Sequence, residues 1–243
     1  MPDSRKHRGP HPADEQLFEP DALAALRQAV DHFSWLLTRG YTDNSALKLV
    51  GDRFQLAQRQ RIAVMRSSCS DQAKQRRKDH ELHAEQLAGQ SLDIDGFNLL
   101  TTVEAAVSGG VILCGRDGCF RDMASMHGSY RKVEETRPAL EMVGTALNRL
   151  GAARCLWLLD SPVSNSGRLA EVIREVAVEN GWQWEVQLVT DPDAVLIRSE
   201  SIVVSADSMI LDGCARWFNL APEIIRRQVP QTNIVNMADP ADS

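Results

Sequence analysis

The chain has 243 residues, 43% of them hydrophobic and 25% charged, with a formal net charge of −6. That composition is ordinary for a globular protein and leaves room for one large domain or two smaller ones. No apolar run approaches the ~20 residues of a membrane span. The five scattered cysteines suit a reducing compartment rather than a disulfide scaffold, so a cytoplasmic protein without a membrane partner is expected.

Residues 1–19 are rich in charge and proline and lack the apolar core of a signal peptide, so they are expected to form a disordered tail. From Pro20 a 3.6-residue stripe of Leu23, Leu26, Val30, Phe33 and Leu37 predicts a helix that glycine stops near Arg39-Gly40. The capping cluster Thr42-Asp43-Asn44-Ser45 starts a second helix, with Leu47, Val50, Phe54, Ala57 and Val64 on its apolar face and Arg61 on or near that face. The two make a helical hairpin over 20–69. An arginine on a buried stripe must be paired or must reach a phosphate. Residues 70–90 are almost wholly polar and are read as a basic linker or exposed helix, with the domain boundary there.

Charge divides the chain. Between Arg39 and Lys78 ten Lys or Arg stand against three Asp or Glu, a formal +7, whereas residues 91–243 sum to −8. A basic arm beside an acidic domain is what an enzyme acting on a polyanion needs. The plainer reading is a solvated, ion-paired helix.

From residue 91 to about 230, short apolar runs alternate with helical stretches, the signature of βαβ units and a parallel sheet. Strands are expected at Leu92–Ile94, Gly110–Cys114, Cys155–Leu159, Trp184–Val189 and Ser201–Ser205. Helices are expected at Leu99–Val107, Arg137–Leu150, Gly167–Asn180 and from Asp207 to Phe218 or beyond. Residues 231–243 read as a polar tail. Cys114, Cys119 and His127 lack a convincing fourth zinc ligand and are taken as ordinary thiols and a surface histidine.

Three of these strands run into an aspartate: Asp95, Asp160 and Asp207. In a parallel sheet, ligands gather outside the carboxyl ends of the strands. Three carboxylates delivered there would suit Mg²⁺ or Mn²⁺, which prefer oxygen ligands, and so phosphate-ester chemistry. Asn98, in Asp95-Gly96-Phe97-Asn98, is placed to orient Asp95 or touch substrate. Ser164 and Ser166, before a helix start, are placed to receive a phosphate. Arg59 and Arg66 on the second helix are placed to contact nucleic acid. Asp95 also has a bland reading as a helix cap, and so do Ser164 and Ser166 before their helix. Asp191-Pro192-Asp193 is another acidic pair near the same edge, with a plain turn as its preferred reading. There is no Walker-type phosphate loop and no dinucleotide fingerprint.

Asp95-Gly96-Phe97-Asn98, Asp160 and Ser205-Ala206-Asp207-Ser208 resemble the PIN and NYN nucleases. That resemblance implies a three-layer α/β fold preceded here by a helical region, metal bound by Asp95, Asp160 and Asp207, and cleavage of RNA more often than DNA. Ala206 departs from the serine or threonine common before the last aspartate, and Glu104 is the candidate for the helix-borne acid on spacing alone. Over the whole chain, Arg39-Gly40-Tyr41, Leu47-Lys48-Leu49-Val50-Gly51-Asp52-Arg53 and Asp160-Ser161-Pro162-Val163-Ser164 resemble an uncharacterised prokaryotic family of unknown function, a 434-type N-terminal region with its usual C-terminal partner domain. The competing expectations are a non-catalytic RNA-binding or interaction protein and, from Asp93-Ile94-Asp95-Gly96, a haloacid-dehalogenase-like phosphatase. No residue pattern specifies an oligomeric state.

Overall fold

The computed structural model describes residues 7–124, 130 and 132–238. Its N-terminal part is helical: α1 (Asp14–Leu17), α2 (Pro20–Thr38), α3 (Asp43–Arg53), α4 (Gln58–Ser67) and α5 (Asp71–His80). The stripe of α2 buries Leu26, Val30 and Phe33, and Gly40, at φ 80°, makes the left-handed turn that ends it.

The expected second helix is divided into α3 and α4. Gln55 takes a positive φ of 51° between them, and the Leu56 N–H donates back to the Gly51 carbonyl at 2.9 Å. Arg61 lies against Gly51, where a Cβ would overlap its guanidinium. It pairs with Asp52 at 2.8 Å and donates to the Leu56 carbonyl at 3.1 Å. Gly51-Asp52 therefore forms the seat of Arg61, and of the two fates open to that arginine the structure shows pairing.

Beyond residue 90 the order is β1 (Ser91–Asp95), α6 (Gly96–Val107), β2 (Ile112–Cys114), β3 (Phe120–Asp122), α7 (Thr136–Arg149), β4 (Arg154–Asp160), α8 (Ser166–Asn180), β5 (Trp184–Val189), α9 (Pro192–Ile197), β6 (Ile202–Val204), α10 (Ser208–Gly213), α11 (Leu220–Gln228) and β7 (Ile234–Asn236). Four of the strands form a wholly parallel sheet in the order β5-β4-β1-β6. The two-residue alternation of strands then sorts side chains between faces. Leu92, Ile94, Trp157, Leu159 and Val204 enter a core with α6, α7, α8 and α11. Leu158 and Val203 enter another with Leu196 of α9 and Ile210 of α10. The chain is thus α/β, a parallel sheet between helices with a helical region ahead of it.

Several expectations change. The strand read at Gly110–Cys114 belongs to a separate small sheet, in the order β3-β2-β7. There β7, in the stretch read as a polar tail, runs parallel to β2 and brings Val235 and Met237 into the core of α2–α4. Residues 7–19, read as part of a disordered tail, are instead tied down: Asp14 is buried and paired with Arg59, and Arg8 is paired with Glu104. The helix expected from Asp207 to Phe218 stops at Gly213, and α9 and α11 were not anticipated. Asp191 caps α9 by accepting the Ala194 N–H at 3.0 Å, with proline at the first helical position. The same Asp-Pro-Asp chemistry serves a turn or a helix start. His127 lies outside the described residues.

Candidate functional site

Chain connection runs outward from β1 to β4 to β5, then crosses to β6 on the other side of β1. The order therefore reverses between β1 and β6, where ligands of parallel sheets collect. Asp95 ends β1. Gly96 lets α6 start hard against β4, since a Cβ there would sit 2.9 Å from the Leu158 carbonyl oxygen. Register sets Ile94 opposite Val204, which brings the segment after β6 alongside Asp95.

One hydroxyl joins the two. Ser205 Oγ donates to Asp95 Oδ2 at 2.7 Å and accepts the Asp207 N–H at 3.0 Å. Asn98 Oδ1 accepts the Ala206 N–H at 2.9 Å, and the Asn98 N–H approaches Asp95 Oδ1 at 3.4 Å. Asp207 Oδ1 accepts from Met209 N–H at 2.8 Å. Both aspartates are therefore helix caps as well as members of this edge.

The edge carries uncompensated negative charge. Burial pushes the Asp95 carboxyl up to about 7; the Ser205 hydrogen bond opposes the rise, and the charges of Asp207 and then Asp193 add to it. Asp193, in the first turn of α9, is raised by burial and then by Asp207, Asp160 and Asp191. Asp160 is raised by burial and then by Asp191. Asp193 is thus within the field of Asp207 on one hand and of Asp160 and Asp191 on the other.

Above this edge lies a cleft of about 670 Å³, lined by Asp95, Asn98, Asp193 and Asp207 and by Leu37, Tyr41, Met65 and Arg66 of the N-terminal region. Asp122 of β3 also faces it, accepting from Thr102 Oγ1 at 3.1 Å.

Of the expected site residues, Asp95, Asn98 and Asp207 come together, and Arg66 reaches the cleft. Arg66 donates to the backbone carbonyls of Asp122 at 2.5 Å and Ala124 at 2.9 Å. Asp160 is outside the cleft. Ser166 is buried and donates to the Val163 carbonyl at 2.7 Å, and the Ser164 carbonyl accepts the Tyr130 N–H at 3.0 Å. Ser166 thus spends its hydroxyl on its own loop, while Ser164 is exposed and outside the cleft. Arg59 is held in a two-pronged pair with Asp14. Glu104 is fully buried elsewhere, accepting from Tyr130 Oη at 2.5 Å and Thr136 Oγ1 at 2.6 Å, so it is not an acid of this edge. Asp93 lies two residues inside β1 and accepts from Ser199 Oγ at 2.6 Å, away from the strand-end position that a phosphatase nucleophile needs. All five cysteines are free thiols.

Sequence reasoning set Asp193 aside, because its helix reads as a turn, and gave Ser205 no role, although it stands two residues before Asp207. Among the described residues no three His, Cys, Asp or Glu side chains converge as a ready metal-binding group.

Fold and site together define an α/β protein with a cleft at the strand-order reversal of a parallel sheet, closed on one side by its own N-terminal helices. Residues 84–223 match the family model described as "Domain of unknown function (DUF5616)", and residues 25–80 match "Protein of unknown function (DUF434)". The chain belongs to the first of these families, which spans more than half of it, and the match to the second falls on its N-terminal helices. It is 29% identical over 187 residues to the uncharacterized protein MJ0935 of Methanocaldococcus jannaschii, covering 77% of this chain and 89% of that one. No solved structure matches it. Among the described residues no helix is long and apolar enough to cross a membrane.

Proposed function

We propose that the cleft is the active site of a divalent-metal-dependent nuclease of PIN/NYN-like kind, hydrolysing phosphodiesters of RNA in preference to DNA. The observation that carries this reading is the meeting of Asp95 and Asp207 at the β1/β6 reversal, with Asp193 beside them and the Asp95 carboxyl pushed up to about 7 by burial and by its acidic neighbours. A partly buried carboxylate surrounded by like charge gains most from a cation.

Oxygen donors fit Mg²⁺ or Mn²⁺. Mg²⁺ commonly keeps several waters and takes only one or two carboxylates plus substrate phosphates, so a ready three-ligand group is not required. Asp95 and Asp207 are the residues that would hold the ion, with Asp193 nearest as a third acid. When bound, such an ion stabilises charge on the phosphate and activates water. Ser205 orients the Asp95 carboxylate, Asn98 fixes the 205–207 segment, and Arg66 supplies positive charge at the rim. Asp160 takes no part in this version of the site.

The test is Mn²⁺ titration calorimetry at pH 8 together with cleavage of end-labelled single-stranded RNA and DNA. Wild-type protein is expected to bind Mn²⁺ and cut RNA, while Asp95→Asn and Asp207→Asn do neither. Absence of both metal binding and cleavage in the wild type would sink the enzyme reading.

The capping roles of Asp95 and Asp207 favour one alternative, a non-catalytic RNA-binding or interaction protein in which these acids serve the fold. RNA binding that persists without metal, and without hydrolysis in any metal, would support it.

A further inference from the structure

The turn between β2 and β3 holds a carboxylate with no counterpart in the sequence reading. Asp117 is buried, and both of its oxygens are committed to arginines. Arg121 of β3 grips it with Nη1 at 2.9 Å and Nη2 at 2.7 Å. Arg77 of α5 donates to it through Nη1 at 2.5 Å. Each arginine also reaches the segment that carries Asp207. The Arg121 Nε–H donates to the Ala206 carbonyl at 2.7 Å. Arg77 forks onto Asp212 at 2.7 and 2.9 Å and extends to the Ser208 carbonyl at 3.4 Å. Gly115 leaves space for this network, since a Cβ there would lie 2.8 Å from Arg121 Nη1. The backbone of the same turn is fastened to the N-terminal half, where the Arg116 N–H donates to the Ser67 carbonyl at 2.8 Å.

Two cations and two anions are thus arranged so that every arm not needed for Asp117 grips residues 206–212. A planar guanidinium with donors fixed in a fork suits this task in a way that a lysine ammonium does not. Ala206 and Asp207 are the residues whose N–H groups engage Asn98 and Ser205. Holding their backbone from behind sets where the Asp207 carboxylate stands relative to Asp95.

We propose that Asp117, Arg121 and Arg77 form a clamp on the Asp207 segment, with Arg121 of β3 as its positioning residue and Arg77 of α5 as the arm through which the N-terminal helical region takes part, so that the cleft is complete only when both matched regions are docked. The inference rests on reading the cleft as the functional site. It assigns the N-terminal region a role in the site even where its arginines contact no ligand.

The test uses the full chain and the conservative variant Arg121→Lys, which keeps the charge beside Asp117 but cannot grip that carboxylate and the Ala206 carbonyl together. Amide hydrogen exchange in residues 205–209 is expected to quicken at least roughly tenfold, while amides of β4 and α8 stay at wild-type rates, as local loosening under unchanged global stability requires. Asp212 is 42% exposed, so Asp212→Asn provides a second variant that folds without leaving a deeply buried orphan. Its exchange is expected to quicken over 208–212 by a smaller factor. Wild-type protection across 205–212 in both variants would overturn the clamp. Mn²⁺ calorimetry on the wild type reports separately: no Mn²⁺ binding with quickened exchange in the variants would remove the metal reading and leave the clamp standing.

Discussion

Two clusters of buried charge lie on either side of residues 206–212, and they behave in opposite ways. Around Asp117, burial alone would raise the carboxyl, yet the charges and hydrogen bonds of Arg121 and then Arg77 overcome it and hold the group below the usual carboxylate range. Around Asp95, burial wins. One serine hydroxyl and a long backbone contact are too little against two neighbouring aspartates. Both sites take carboxylates out of water, and only the first supplies counter-charges. Fully paired buried charge is what a structural joint looks like, whereas a carboxylate left facing other carboxylates is a common mark of a functional site.

Five experiments test how deep this contrast runs. The largest effect is expected for Asp117→Asn, which leaves two buried arginines short of their anion and should cost about 3–5 kcal/mol in urea unfolding. A loss below about 1 kcal/mol would show that the joint is not the tight ion network described. The Asp95 site should respond in the opposite direction. Its folded-state carboxyl is raised above the unfolded value, so the folded state binds more protons between pH 4 and about 7 and stability falls as pH rises through that window. Asp95→Asn should therefore be more stable than wild type at pH 8 by about 1–3 kcal/mol, and that gain should vanish near pH 4. Equal stabilities at both pH values would mean that the Asp95 carboxyl is not held against its charge.

Gly51→Ala probes a joint of the paired kind at smaller scale. Its methyl must displace Arg61 from Asp52 and the Leu56 carbonyl, with an expected loss of about 1 kcal/mol in thermal or urea unfolding. No loss would show that Arg61 finds an equivalent seat. The smallest effect on stability is expected for Arg66→Gln, at the cleft rim. If the cleft takes RNA, filter-binding affinity should fall and the slope of log K against log salt should flatten by up to about one unit. Unchanged affinity would remove Arg66 from the nucleic-acid surface. The same change at Arg59 should instead show up in stability, because Asp14 is left buried without its partner.

Much of the fold was legible because it is written locally. The stripe of α2 and its glycine stop, the βαβ alternation after residue 90, and Asp95 and Asp207 at strand ends all follow from periodicity and turn chemistry within a few residues. The readings that failed depend on partners distant in sequence. Val235 and Met237 look like part of a tail until β2 and the N-terminal helices offer them a core. Arg59 looks like part of a nucleic-acid face until Asp14 receives it, whereas Arg66 reaches the cleft while donating to the carbonyls of Asp122 and Ala124. Glu104 fits the spacing of a helix-borne acid, yet its burial beside Tyr130 and Thr136 takes it out of the site.

By itself, then, the sequence determined most of the element types, the acidic strand ends and the division of charge between the two halves, since each is a property of short windows or of composition. The tertiary structure alone decided which acids meet. Strand order placed β6 beside β1 and so paired Asp207 with Asp95, while Asp160, ending the strand on the other side of β1, was left outside the cleft beside Asp191. It also decided which charges are neutralised. Whether a carboxylate lies beside an arginine or beside another carboxylate is a matter of distance through space, and that distance separates a joint from a site.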